Sequence, residues 1–154
     1  FLPEGCDELQ AEHMKGAIRA IIRLIDSNIY VEKAIVKSTR SMSSYAQQNL
    51  KGSREASLMF AGDGDALLAI AEPFAGEEFE SVDLDALDAV GEFINCVNGM
   101  FCTKVAAQCE LDMLPPSYRE GEYMAKANRL CIMPVHIKNV VVNLITSFDE
   151  YIVV

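Results

Sequence analysis

Residues 83–111 read DLDALDAVGEFINCVNGMFCTKVAAQCEL, and their periodicity decides the fold. At 100° of turn per residue, Leu87, Val90, Ile94, Val97, Phe101 and Val105 fall in one stripe, the spacing of a core-facing helical face. Asp88, Glu92, Asn95 and Gly99 fall in a second stripe, roughly 150° from the centre of the first. A long helix is predicted, with an acid, an acid, a carboxamide and a glycine aligned on its outer side. Ser81 or Asp83 is the predicted cap. The helix must end before Pro115-Pro116, because a residue that precedes proline is pushed out of the α region.

The outer stripe has a composition that helix stability alone does not favour. Asn costs several tenths of a kcal/mol in an exposed helix interior, and each glycine roughly 1 kcal/mol relative to Ala. Gly91 and Gly99 flank Glu92 and Asn95, so they are read as clearing the surface for a close approach by another molecule.

Working outward, residues 7–27 form a predicted amphipathic helix, with Met14, Ala17, Ile18, Ile21, Ile22 and Ile25 on one side and Asp7 as its cap. Residues 29–38 (IYVEKAIVKS) are rich in β-branched residues and read as a strand. Residues 41–51 are polar and are also taken as a strand. Residues 57–60 are a short apolar run closed by the turn Gly62-Asp63-Gly64. Asp63 or Asp65 is expected to cap a short helix through Ala66, Leu67, Ile70 and Ala71, ended by Pro73. The acidic loop at 76–80 then places negative charge near the N-terminus of the long helix, as the helix dipole favours.

Beyond the proline pair, residues 129–137 and 140–148 read as two strands joined by a Lys138-Asn139 turn, with Pro134 suited to an edge or a bulge. Tyr151 to Val154 is an apolar end, read as a last strand or an interface segment. The order of elements predicts one α+β domain over residues 1–154, with an antiparallel sheet and long helices packed on one face. The first residue is Phe1 and not Met, so a fragment, or a chain whose start lies upstream, is expected.

Composition narrows the function by exclusion. With 13 basic against 23 acidic residues the formal charge is −10, which disfavours a nucleic-acid or anionic-membrane surface. No apolar run approaches the length of a membrane span. Five cysteines without a C-x-x-C pair, three of them in residues 83–111, suit reduced, packed thiols in a cytoplasmic protein better than disulfides or zinc. His13 and His136 are isolated, so no metal site and no His-based nucleophile is expected; lone histidines usually pack or sit in solvent.

The pattern D-x-x-x-E-x-x-N, realised as Asp88, Glu92 and Asn95 and followed about twenty residues on by Pro115-Pro116, resembles the signature of the CheC/CheX/FliY chemotaxis phosphatases. The resemblance covers roughly residues 29–148, and the single motif is similar to the one-site CheX arrangement. It implies a CheX-like fold and dephosphorylation of an aspartyl phosphate on a CheY-like response regulator. It implies further that the regulator supplies the Mg²⁺, so the chain needs no cofactor of its own and the task left is positioning a water in line with phosphorus. Asn95 then orients the water, since a carboxamide offers an acceptor and donors but no base. Glu92 pairs with a lysine of the regulator. Asp88, Gly91 and Gly99 become contacts or clearances for the partner, and Pro115 and Pro116 shape the adjoining loop. A homodimer formed by sheet-edge pairing is also implied.

Two other classes compete. A non-catalytic adaptor would bind a regulator through the same face, but would have no need of a water-orienting amide. A module that works by oligomerising would use an apolar edge strand, with Val140–Ile145 the surface to test. Neither a metal hydrolase nor a nucleophilic one has residues to build on, and Cys96 and Cys102 read as packed thiols.

Overall fold

A computed structural model describes residues 5–154. Helix α1 (Glu8–Leu24) starts at Asp7, whose carboxylate accepts from the Gln10 backbone N–H at 2.9 Å. Its apolar side buries Met14, Ala17, Ala20 and Ile21, together with Gln10 and His13. Arg54 ties this cap to the far end of the chain by pairing with both Asp7 and Asp149.

The predicted strand at 29–38 is split. β1 (Tyr30–Val31) and β2 (Ile35–Met42) both pair with β7 (Tyr123–Ile137), and residues 32–34 lie between them. Pro134 of β7 faces this gap: its carbonyl accepts from Glu32 N–H at 3.0 Å, just past the end of β1. The proline therefore sits inside the sheet rather than at an edge, at the place where its missing donor breaks no ladder.

β3 (Ser44–Gly52) and β4 (Ala56–Gly62) form the next antiparallel pair, and β8 (Val140–Phe148) joins β4 to β7. The Lys138-Asn139 turn between β7 and β8 has both residues at positive φ, 48° and 68°, as a two-residue hairpin requires. Short strands β5 (Leu111–Met113) and β6 (Ser117–Arg119) both lie along the outer side of β3, with Pro115-Pro116 between them. The sheet order is β1-β7-β8-β4-β3-β5, with β2 also on β7 and β6 also on β3. Within Val140–Ile145, residues 143–145 pair with β4 on one side and β7 on the other, whereas Val140, Val141 and Val142 pair with β7 alone. β8 is thus an interior strand rather than the expected edge strand, and only its first three residues lack a second strand partner among the described strands.

Helix α2 (Leu68–Ala75) also departs from the sequence reading. Neither Asp63 nor Asp65 caps it; Leu67 is the N-cap residue, and no side chain bonds there. Pro73 lies within the helix, which stops instead at Gly76 in the left-handed conformation, φ 71°. Glu72 then reaches forward to accept from Phe79 N–H at 2.9 Å, fixing the acidic loop against the helix.

Helix α3 (Leu84–Val105) is capped by Asp83, whose carboxylate accepts from Ala86 N–H at 2.9 Å. It ends at Val105, ten residues short of Pro115, because the chain turns to lay β5 and β6 along β3. The six residues of its predicted core stripe are all buried. Residues of all three helices share one hydrophobic cluster with Ala46, Leu58, Phe60, Met133, Val135, Val142 and Leu144, so the helices cover one face of the sheet. On the opposite face a smaller cluster includes Met59, Leu130, Ile132, Ile145 and Ile152, the last from the C-terminal stretch. That stretch is held by the bridge between Val153 and Lys126.

Candidate functional site on helix α3

The outer stripe of α3 keeps its predicted order. Asp88 and Glu92 are exposed, and Asn95 and Gly99 are half-buried. Glu92 and Asn95 are three residues apart and so point the same way, one turn along a rigid helix. Beside Glu92 the loop after α2 leaves an open groove lined by Phe74, Phe79, Asp85, Asp88, Ala89 and Glu92. Its walls combine aromatic surface with four carboxylates, those of Glu77, Asp85, Asp88 and Glu92. That composition suits the aliphatic stem and charged head of a lysine.

The β5–β6 segment borders the stripe on one side. Tyr118 donates its hydroxyl hydrogen to the Asp88 carboxylate at 3.3 Å, and the negative charge of Asp88 pushes the phenol above its ordinary range. Gly91 is buried beneath this segment: a Cβ there would stand 3.4 Å from Pro116 Cβ and 3.8 Å from Tyr118 Cδ2. The close approach expected of a partner at Gly91 is therefore made by the chain's own loop. Gly99 remains more open, with the tip of Met113 at 3.9 Å from a would-be Cβ. Pro115 is exposed and Pro116 half-buried, and both belong to the turn that seats this segment.

Asn95 is held from behind. Gln48, on the helix-facing side of β3 and 1% exposed, donates from Nε2 to Asn95 Oδ1 at 2.8 Å and to the Leu114 carbonyl at 2.8 Å. The Gln48 carbonyl oxygen accepts from Asn98 Nδ2 at 2.9 Å. Asn98 Oδ1 lies 2.7 Å from His13 Nε2, and His13 Nδ1 lies 3.4 Å from the Thr146 hydroxyl. His13, Asn98 and Thr146 are fully buried. The His13 ring stacks on Phe101 with centroids 4.3 Å apart, and burial lowers its pKa to about 4, so it is neutral.

Sequence reasoning missed Gln48, Asn98 and His13, and two of them carried a readable signal. Asn98 stands one turn from Ile94 and from Phe101, within the core stripe, and His13 adjoins Met14 on the buried side of α1. A polar residue at a core position must find partners or lose the free energy of its desolvation.

Among the described residues no group of three or more His, Cys, Asp or Glu could hold a metal ion. Cys96 is exposed, while the half-buried Cys102 has its thiol pushed up by burial, the reverse of what activates a nucleophile. Among the described helices none is long and apolar enough to cross a membrane.

The family model for the chemotaxis phosphatase CheX matches residues 44–138, more than half of the chain, and spans β3, α3 and the proline pair. The chain belongs to the CheX family. Solved structures of CheX proteins share the fold. That from Desulfovibrio desulfuricans is 13% identical, covering 92% of this chain and 99% of its own, with a TM-score of 0.77. CheX from Vibrio vulnificus is 18% identical over 92% and 99%, with a TM-score of 0.76. CheX of Borrelia burgdorferi, solved in a complex with CheY, BeF3 and Mg, is 21% identical over 94% and 99%, with a TM-score of 0.75. No curated protein matches the chain.

Proposed function

We propose that this CheX-family chain accelerates hydrolysis of the aspartyl phosphate of a CheY-like response regulator. The reading rests on one observation: Glu92 and Asn95 stand one turn apart on the outer side of α3, inside the span matched by the chemotaxis phosphatase model. An aspartyl phosphate is an activated acyl phosphate, so most of the barrier left to lower is the placement of water and the stabilisation of charge. Asn95 enters the regulator's site and orients the attacking water. Glu92 meets a lysine of the regulator, with the groove between Phe74 and Phe79 receiving the stem. Mg²⁺ comes with the regulator, as does the phosphoryl group. The CheX–CheY complex from Borrelia burgdorferi supports a partner of this kind. The chain is proposed to act in the cytoplasm, where such regulators work.

The test mixes the protein with phosphorylated regulators from the same organism and follows loss of phosphate. Wild type is expected to outpace spontaneous decay for at least one regulator. Asn95→Ala should lose most of that acceleration while still binding the BeF3-loaded regulator. Glu92→Ala should mainly weaken binding. If no regulator loses phosphate faster than alone but one still binds, the chain is an adaptor and the enzymatic reading is wrong.

A further inference from the structure

We propose that Gln48, backed by Asn98 and His13, is a positioning device that fixes which end of the Asn95 carboxamide faces the partner. The inference rests on the reading of Asn95 as the water-orienting residue, and it concerns an orientation that the helix alone leaves open. A carboxamide can turn about its terminal bond and exchange oxygen for nitrogen at nearly the same cost in space.

The polarity of the chain is set at a single point. The Leu114 carbonyl can only accept, so the Gln48 nitrogen must face it. Leu114 is itself held in place, because its N–H donates to the Asn49 carbonyl at 3.0 Å and the following Pro115 keeps its backbone extended. With one Gln48 hydrogen spent on Leu114, the second points at Asn95 and requires an acceptor there. Asn95 must therefore turn its oxygen inward and its NH₂ outward.

The other end of Gln48 agrees. Its oxygen takes a hydrogen from Asn98, which directs Asn98 Oδ1 at His13 and calls for the proton on His13 Nε2. His13 Nδ1 is then an acceptor, and the Thr146 hydroxyl is the donor beside it. From Thr146 to Asn95 every donor points the same way. Of the side chains in this relay, Asn95 alone reaches solvent, the others being at most 1% exposed. Asn95 thereby offers its NH₂ and the remaining lone pair of Oδ1 to a water, and does not lose orientation when the regulator withdraws.

Three readouts test this. Gln48→Met keeps the bulk and removes both donors. It is expected to lower the maximal rate of regulator dephosphorylation on the order of 10- to 100-fold, as misplacing a positioned group does, with affinity for the BeF3-loaded regulator unchanged. The double variant with Asn95→Ala should be no slower than Asn95→Ala alone, because Gln48 acts through Asn95. A purely structural role would lower the rate and the affinity together, or add to the loss from Asn95→Ala, and either outcome overturns the proposal. Should Gln48→Met fold poorly, amide hydrogen exchange on the wild type decides: the Gln48 NH₂ should exchange slowly and the Asn95 NH₂ fast. A protected Asn95 NH₂ overturns the proposal whether or not the protein is a phosphatase. Absence of any acceleration by wild type overturns the phosphatase reading instead.

Discussion

At the residue scale, the cost of the buried relay falls most visibly on His13. In the unfolded chain its imidazole takes a proton as the pH falls through about 6.5. In the folded protein burial keeps it neutral until about pH 4. The unfolded state therefore binds more protons between these two values, and stability must fall as the pH drops across that window. Its contribution is complete above about pH 6.5, and roughly 3 kcal/mol is lost by about pH 4. Asp7 and Asp149, whose carboxyls are held low by Arg54, lose their contribution only at the acid end, within the carboxylate range, so the two effects separate. Denaturant unfolding at about pH 7 and about pH 4.5 measures the drop. His13→Gln keeps a neutral donor toward Asn98 and should flatten the profile between those values, even if it is weaker throughout. An equal slope in wild type and variant would sink the assignment.

At the element scale, α3 has two glycines that look alike in sequence and differ in the fold. Gly91 lies under Pro116 and Tyr118, whereas a methyl at Gly99 would make only ordinary contact with Met113. Gly99→Ala should therefore stabilise the fold, by up to about 1 kcal/mol through helix propensity. If Gly99 is where the regulator approaches, the same methyl should weaken binding of the BeF3-loaded form. A rise in melting temperature with unchanged affinity would remove Gly99 from the interface. Periodicity gave α3 and its two faces because a helix repeats over six turns, and local sequence carries the repeat. It could not assign the occupant of Gly91, since Pro116 and Tyr118 arrive from β6 and its preceding turn through pairing with β3. The split of β1 from β2 and the extension of β7 back to Tyr123 were hidden for the same reason, as each is set by register with a distant strand. Gln48 was the least legible of all. Its helix-facing position on β3 follows from its register with Leu58 on β4, and nothing in the polar run at 41–51 marks it.

At the scale of the whole molecule, the two ends of the sheet are finished differently. One side of β3 is covered by the short strands β5 and β6 with two prolines between them, which blunts that edge. β2 is eight residues long, contains no proline, and pairs with β7 alone among the described strands. A strand of that length with an open side is a template for pairing, and Ile35 is exposed at its start. We propose that the homodimer forms here, by β2 pairing with its copy across a two-fold axis. Such a two-fold pairing brings like charges close, for residues 33–44 hold Lys33, Lys37 and Arg40 and no acid, in a chain of net charge −10. Both the local positive edge and the overall negative charge oppose association at low salt, and both are screened at high salt. Light scattering at micromolar concentration should thus give a dimer that tightens as ionic strength rises. Substituting Val36, the second residue of β2, by proline removes a backbone donor from that strand and should yield monomer with the Asn95-dependent rate retained, because α3 lies at the other end of the sheet order, packed on β3. A monomer at every salt concentration would place the open edge of β2 outside any self-association.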